Sequence, residues 1–214
     1  MHATDRVVAG KRVIYSGLDW WGSPGNELHD PLLVFSSAHI EGNDLHHLNS
    51  ELVSAKRKLG LPDSYVFRHV GASTAAHRAF YEALANTSIE AYIHVIEKAQ
   101  WTADYLKWSG GLDRICDGIV GIVLGCPDSL VAQQKLLIDL RRKDMRFVRT
   151  IRLALRRALA GVGRATFDNV QPCPDHRIEG GIVQVADMIA GEVREQGAVR
   201  GPYLSAINAR MHRV

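Results

Sequence analysis

Short apolar runs separated by loops containing glycine and proline recur along the chain, and many of them have the length of β-strands. Some alternate apolar and polar positions, whereas others are apolar throughout, as expected for strands buried on both faces. Strands are predicted at residues 12–18, 31–40, 65–70, 89–98, 134–140 and 165–170.

Other segments repeat apolar residues every three or four positions, which is the spacing of one helix face. Strands come first in the chain and then alternate with helices, which favours an α/β sheet with helices on both faces. Helices are predicted at 43–59, 75–86, 112–124, 143–159 and 180–195, with a partly helical segment at 101–110 and a short terminal helix within 201–214.

The helix predicted at 180–195 carries an acid, Asp187, in the middle of its apolar pattern. Gln184 and Gly191 lie on the same helix face, one turn to either side. An ionised carboxylate in apolar surroundings is costly unless it is paired or bound to a metal. Asp187 therefore has either a buried structural partner or a cation, and Gly191 lets another part of the chain approach closely.

Composition limits the class of protein. The 214 residues suit one domain, or one domain with an insertion, and the formal net charge is only +3. Three cysteines without Cys-x-x-Cys spacing argue against a disulfide framework or a zinc site and suit a reducing cytoplasm. The most apolar run, 115–126, is too short to span a bilayer, so no membrane partner is expected.

Charge is concentrated in one segment. Residues 141–164 contain eight arginines and Lys143 against a single acid, Asp144. A positive stripe along one helix face binds phosphates by counterion release, which makes nucleic acid a candidate partner. The alternatives are a solvated helix with acidic partners elsewhere, or a contact in a homo-oligomer. The stripe consists of Arg142, Arg146, Arg149, Arg152 and Arg156.

The octet Gln-Val-Ala-Asp-Met-Ile-Ala-Gly at 184–191 resembles the C-terminal signature of the bacterial and phage family called domain of unknown function 3800. In that family the octet is usually Gln-Leu-Ala-Asp-Leu-Ile-Ala-Gly. The family is placed in the ribonuclease-H-like superfamily. The resemblance implies an α/β fold with a ribonuclease-H-like mixed sheet flanked by helices on both faces. Residues 1–214 would form a single domain with a helical insertion around 101–130.

The resemblance also implies a metal site. Asp19 at the end of the first strand, Asp139 near the end of a central strand and Asp187 would bind Mg²⁺ or Mn²⁺. Two such cations, ~3.5–4 Å apart, need oxygen ligands on both sides of a scissile phosphate. We therefore expect the strands that end at Asp19 and Asp139 to be neighbours in one sheet. His69 and Lys98 also match the family pattern, and Lys98 is a candidate phosphate contact.

The chain departs from the family at two acids. Trp20 replaces the glutamate that usually follows the first aspartate, and Phe67 occupies the other acidic position. Trp20 and Trp21 either stack on bases or pack in the core. His69 is a candidate catalytic base, a ligand for a softer metal, or a hydrogen-bonded core histidine. The candidates to replace the missing acids are Glu27, Glu97, Asp168 and Asp175.

Two hypotheses follow. The first is a metal-dependent nuclease in which Asp19, Asp139 and Asp187 hold the cations. The second is a catalytically inactive family member that binds nucleic acid or a protein partner. Loss of the two acids favours the second hypothesis, and retention of the three aspartates favours the first.

Overall fold

The computed structural model describes residues 13–25, 30–127, 134–139, 145–164, 169–173, 179–196 and 203–213. Its strands are β1 (Ile14–Trp21), β2 (Leu32–Glu41), β3 (Glu90–Glu97), β4 (Gln134–Ile138), β5 (Val170–Pro172) and β6 (Asn208–Arg213). Its α-helices are α1 (Leu45–Lys58), α2 (Thr74–Leu84), α3 (Ala103–Trp108), α4 (Gly111–Gly125), α5 (Met145–Gly161) and α6 (Gly180–Gln196). Short 3₁₀ turns lie at Lys98–Gln100 and Leu204–Ala206.

The strands form one mixed sheet in the order β5-β4-β1-β2-β3-β6. β2 runs antiparallel to its neighbours β1 and β3, whereas β4 is parallel to β1 and β5 is parallel to β4. Leu18 of β1 lies opposite Ile138 of β4. The prediction that the strands leading to Asp19 and Asp139 are neighbours is therefore confirmed.

Helices cover both faces of the sheet and enclose two apolar cores. On one face, α1, α2 and α6 pack against the sheet through residues such as Leu48, Phe80 and Ile189. On the other face, α4 and α5 supply residues such as Ile119 and Leu155. The predicted α/β architecture, a mixed sheet flanked by helices on both faces, is confirmed.

The backbone of α6 approaches β1 closely at Gly17. A Cβ added to Gly17 would lie 2.1 Å from the carbonyl oxygen of Ile182. Only glycine fits at this point, because any side chain would push the helix away from the strand. The contact holds α6, which carries Asp187, directly over the strand that carries Asp19.

Two predicted elements are wrong. Residues 65–70 do not form a strand, because the backbone N–H groups of Phe67 and His69 donate to side chains of α6 instead of to a neighbouring strand. The predicted terminal helix is replaced by a 3₁₀ turn and β6, which pairs in parallel with β3. That pairing satisfies the outer edge of β3, so sheet hydrogen bonding prevails over local helix preference.

The other differences are small. β1 continues to Trp21, so Asp19 lies within the strand and not after it. The last predicted strand overlaps β5 only at Val170, and residues 165–168 lie outside the described residues. The helical segment expected around 101–130 contains α3 and α4, while its role as an insertion in a single domain stays a prediction. Among the described helices, none has the length and apolarity needed to cross a membrane.

Candidate active site

Asp19, Asp139 and Asp187 line one small cavity of about 20 Å³. Each comes from a different element: Asp19 from β1, Asp139 from the end of β4, and Asp187 from the middle of α6. Because β1 and β4 are parallel and Leu18 faces Ile138, the next residue of each strand is an aspartate at the same edge. The other lining residues are Val66, Phe67, Arg68, Val183 and Gln184.

Backbone and side-chain donors hold these carboxylates. The N–H of Trp20 donates to Asp19 Oδ1 at 2.8 Å, and the N–H of His69 donates to Asp187 Oδ2 at 2.9 Å. Arg68 Nη2 lies 3.8 Å from Asp139 Oδ2, in an ion pair that is partly open to solvent. Asp187 therefore has a polar partner at one oxygen while it also lines the cavity. Three carboxylates are the oxygen donors that hard divalent cations prefer.

Residues 65–70 form a loop that hydrogen-bonds to one face of α6. Gln184 Oε1 accepts the N–H of Phe67 at 3.0 Å, and Asp187 accepts the N–H of His69 one turn later. A Cβ on Gly191, one further turn along, would lie 2.1 Å from His69 Cγ. The octet 184–191 thus works as a binding face for this loop, with Gly191 making room for an imidazole ring.

Aromatic side chains, Trp20 and Phe67, occupy the two positions where the sequence resemblance implied acids. Trp20 packs against Phe35 and Phe147, with ring centroids 6.4 and 5.9 Å apart. Phe67 has 0% exposure and packs against Phe80 at 5.0 Å. Neither position brings an acid to the cavity, and Trp20 has packing partners in the core below α5. Of the four candidate replacement acids, Glu27, Asp168 and Asp175 lie outside the described residues.

The imidazole of His69 does not line the aspartate cavity. It is only 4% exposed and borders a second cavity of about 420 Å³. There its ring packs edge-on against His77, with centroids 4.8 Å apart, and its Nε2 lies 3.1 Å from Glu195 Oε1. His69 therefore contributes its backbone to one site and its side chain to another.

Sequence reasoning missed two residues of this second cavity, His77 and Glu192. His77 Nδ1 lies 3.7 Å from Glu192 Oε2, and Glu192 Oε1 accepts a hydrogen bond from Gln196 Nε2. Burial raises the pKa of Glu192, against the opposing effect of His69 and His77. The sequence does contain one indication of Glu192, because its position beside Gly191 on an apolar helix predicts a buried acid. No pattern in the sequence connects it to His77 on α2.

Lys98 lies inside the protein. It is 8% exposed, and its Nζ is 3.4 Å from Asp30 Oδ2, while Arg194 Nη2 lies 2.8 Å from the other oxygen of Asp30. Burial by itself would raise the pKa of Asp30, but the Ser23 N–H, Arg194 and Lys98 together lower it. This ion pair gives a phosphate little access to the Lys98 ammonium.

The arginine stripe lies on α5 as predicted for an amphipathic helix. Val148, Ile151, Leu155 and Leu159 are buried, and the opposite face carries exposed Arg146, Arg149 and Arg156. Arg152 differs, since its Nε and Nη2 donate to the carbonyl of Val170 in β5 at 3.2 and 2.5 Å. Arg142 lies outside the described residues.

Comparison with solved structures finds a likeness to a crystal structure of a mutant of Bst-RNase HIII. The two chains are 13% identical, with a TM-score of 0.43 over 87% of this chain and 53% of that one. This chain thus spans about half the length of the solved chain. No protein-family model matches the chain, and no curated protein matches it.

Proposed function

We propose that the protein is a metal-dependent hydrolase of nucleic-acid phosphodiesters, with Asp19, Asp139 and Asp187 as the ligands of Mg²⁺ or Mn²⁺. The observation that carries this proposal is the meeting of three carboxylates, from two neighbouring parallel strands and the helix above them, at one cavity. Such like charges are costly to hold together, and a bound divalent cation offsets the cost.

In such a site, divalent cations supply an activated water and stabilise the leaving oxygen. The chain positions the ligands. The Trp20 N–H fixes one oxygen of Asp19, and the His69 N–H fixes one oxygen of Asp187. Arg68, which reaches Asp139 and is largely exposed, is suited to bind a phosphate oxygen of the substrate.

The exposed arginines of α5 extend this proposal to the nucleic-acid backbone. α5 begins shortly after Asp139 in the chain, and Arg146, Arg149 and Arg156 are exposed on it. Guanidinium groups on one helix face match the repeated charge of a phosphodiester chain, without any preference for base sequence. We include Arg146, Arg149 and Arg156 in the binding surface and treat Arg152 mainly as an anchor to β5.

The test is hydrolysis of labelled single-stranded DNA, duplex DNA, RNA and an RNA–DNA hybrid in Mg²⁺ or Mn²⁺. Asp139→Asn should lower the rate by at least ~100-fold, because it removes a charged ligand while keeping the shape. Asp104→Asn is the matched control, since Asp104 is exposed on α3 and does not line the cavity. An equal rate in Asp139→Asn and wild type would contradict the assignment.

The alternative is a non-catalytic protein that binds nucleic acid or a protein partner. The buried Phe67 and the packed Trp20 favour it, because they leave the cavity without acids at those two positions. Salt-dependent binding of the same probes, with no hydrolysis in either metal, is the result that would select this alternative.

A further inference from the structure

We propose that His69, His77 and Glu192 form a second metal site that binds a transition-metal cation of the zinc class, with Glu195 as an additional ligand at its mouth. The site lies between α2, α6 and the loop that precedes α2. It is distinct from the aspartate cavity, and none of the residues that the structure describes lines both.

The ligand atoms are already close together. One nitrogen or oxygen from each of His69, His77 and Glu192 lies within 4.8 Å of the others. Ligands of a tetrahedral zinc ion, each at ~2.0–2.2 Å from the metal, are ~3.3 Å apart. Small side-chain rotations therefore convert the present arrangement into a coordination sphere.

The buried imidazole of His69 indicates that a metal ion binds at this position. Its side chain is buried, and neither ring nitrogen makes a hydrogen bond of acceptable geometry within the part of the chain that the structure describes. Glu195 Oε1 is 3.1 Å from Nε2, so charge is nearby although the direction is poor for a hydrogen bond. A buried polar group left in this state is costly, and a metal ion at the imidazole would satisfy it.

His77 is arranged as metal-binding histidines are. Its Nε2 lies 3.4 Å from the carbonyl oxygen of His69, a contact in which that nitrogen donates its proton. With the proton assigned to Nε2, the lone pair of Nδ1 is free and faces Glu192 Oε2 at 3.7 Å. A hydrogen bond from the second ring nitrogen to a backbone carbonyl is the usual support of a histidine ligand.

Glu192 completes the set. It is 2% exposed, and Gln196 holds its Oε1, so that Oε2 is the oxygen presented to the histidines. Two imidazoles and a carboxylate suit zinc and its neighbours better than Mg²⁺, which prefers oxygen ligands and water. Glu195 is 65% exposed at the side chain, so it can swing over the metal or leave that position to water.

The experiment is titration of the chelator-treated full chain with Zn²⁺ by calorimetry, and with Co²⁺ by visible absorption. With excess Mg²⁺ present to occupy the proposed aspartate site, we expect saturable binding of a single zinc ion and an intense Co²⁺ spectrum of the tetrahedral type. His77→Gln and Glu192→Gln should each weaken binding by more than the ~10–100-fold known for residues that only support a ligand.

His46→Gln is the matched control, because His46 is exposed on α1 and should leave zinc binding unchanged. Circular dichroism of each variant in chelator checks folding without the metal. Asp139→Asn should keep full zinc affinity, so failure of the proposed nuclease and failure of the zinc site are separate outcomes. If wild type shows no saturable zinc binding, or if both ligand variants bind as wild type does, the cluster is a metal-free hydrogen-bonding network.

Discussion

Single residues determine the positions of the aspartate cavity and the proposed zinc site, and Gly191 has the clearest effect. Its missing side chain lets the His69 ring lie against the α6 backbone, while the His69 N–H reaches Asp187 on the same helix. The loop is thereby fixed between both sites. A change at residue 191 should therefore disturb the imidazole first and the aspartate cavity second.

Gly191→Ala should destabilise the protein by about 1–3 kcal/mol, because the added methyl group would lie 2.1 Å from His69 Cγ and force the ring out of its position. The measurement is the free energy of unfolding from urea titration. Gly125→Ala is the matched control, because a Cβ there meets nothing within 4 Å. Equal stability of Gly191→Ala and wild type would show that the loop moves at little cost.

At the scale of single residues, the sequence predicts which aspartates form the cavity but not which groups contact them. Asp19, Asp139 and Asp187 are recognisable because each interrupts an apolar pattern or ends one. One partner of Asp187 is the backbone of His69, 118 residues away along the chain, and a backbone donor leaves no trace in residue identities. For the same reason, His77 and Glu192 could be joined only by the three-dimensional fold.

Some secondary-structure elements are determined by the local sequence pattern, whereas others are determined by tertiary contacts. β2, α2 and α4 were predicted within a few residues of their ends, because their periodicity and capping signals are strong. The apolar pattern of residues 65–70 favours a strand, but the N–H groups of Phe67 and His69 donate to side chains of α6 and not to a neighbouring strand. β6 was missed because the open edge of β3 determines it.

Among the helices and strands, α5 has a proposed role in nucleic-acid binding that can be tested directly. Removing Arg146 and Arg149 together should weaken binding of labelled duplex and single-stranded DNA, and should flatten the dependence of affinity on salt by ~1 phosphate contact per arginine. Both residues are exposed, and the buried face of the helix contains neither of them.

The control is Arg78→Ala/Arg210→Ala, which removes the same charge from exposed positions on α2 and β6. Affinity should fall alike for all base sequences, because phosphate contacts carry no sequence information. If the α5 variant and the control bind DNA with equal affinity, the stripe has another role, and sedimentation of both variants would reveal a subunit contact.

The whole molecule carries a pH dependence that originates in two buried histidines, His39 and His94. His39 on β2 is 2% exposed and lies between the hydroxyls of Ser16 and Ser37, at 2.7 and 2.9 Å. Tyr92 packs edge-on against its ring, and the Cys126 thiol lies 3.7 Å from Nε2. Burial lowers the pKa of His39 to about 3, and it lowers the pKa of His94 to about 4.

The sign of the effect follows from proton binding. Below pH ~6.5 the unfolded chain protonates these histidines while the folded protein keeps them neutral, so the unfolded state binds more protons and stability falls as pH falls. Asp30 acts in the same direction, since its lowered pKa stabilises the fold above the unfolded pKa of the carboxyl group. Each buried histidine contributes a slope of up to roughly 1.4 kcal/mol per pH unit.

We therefore expect the urea midpoint to fall steadily from pH 7 to pH 5, and His39→Gln to reduce that fall whatever its effect on stability at pH 7. A glutamine can still bond to Ser16 and Ser37 but does not take up a proton. His46→Gln, at an exposed position on α1, should keep the wild-type slope. A His39→Gln slope equal to that of wild type would mean that the imidazole is protonated in the folded core, and that the two hydroxyls and the Cys126 thiol tolerate a buried charge.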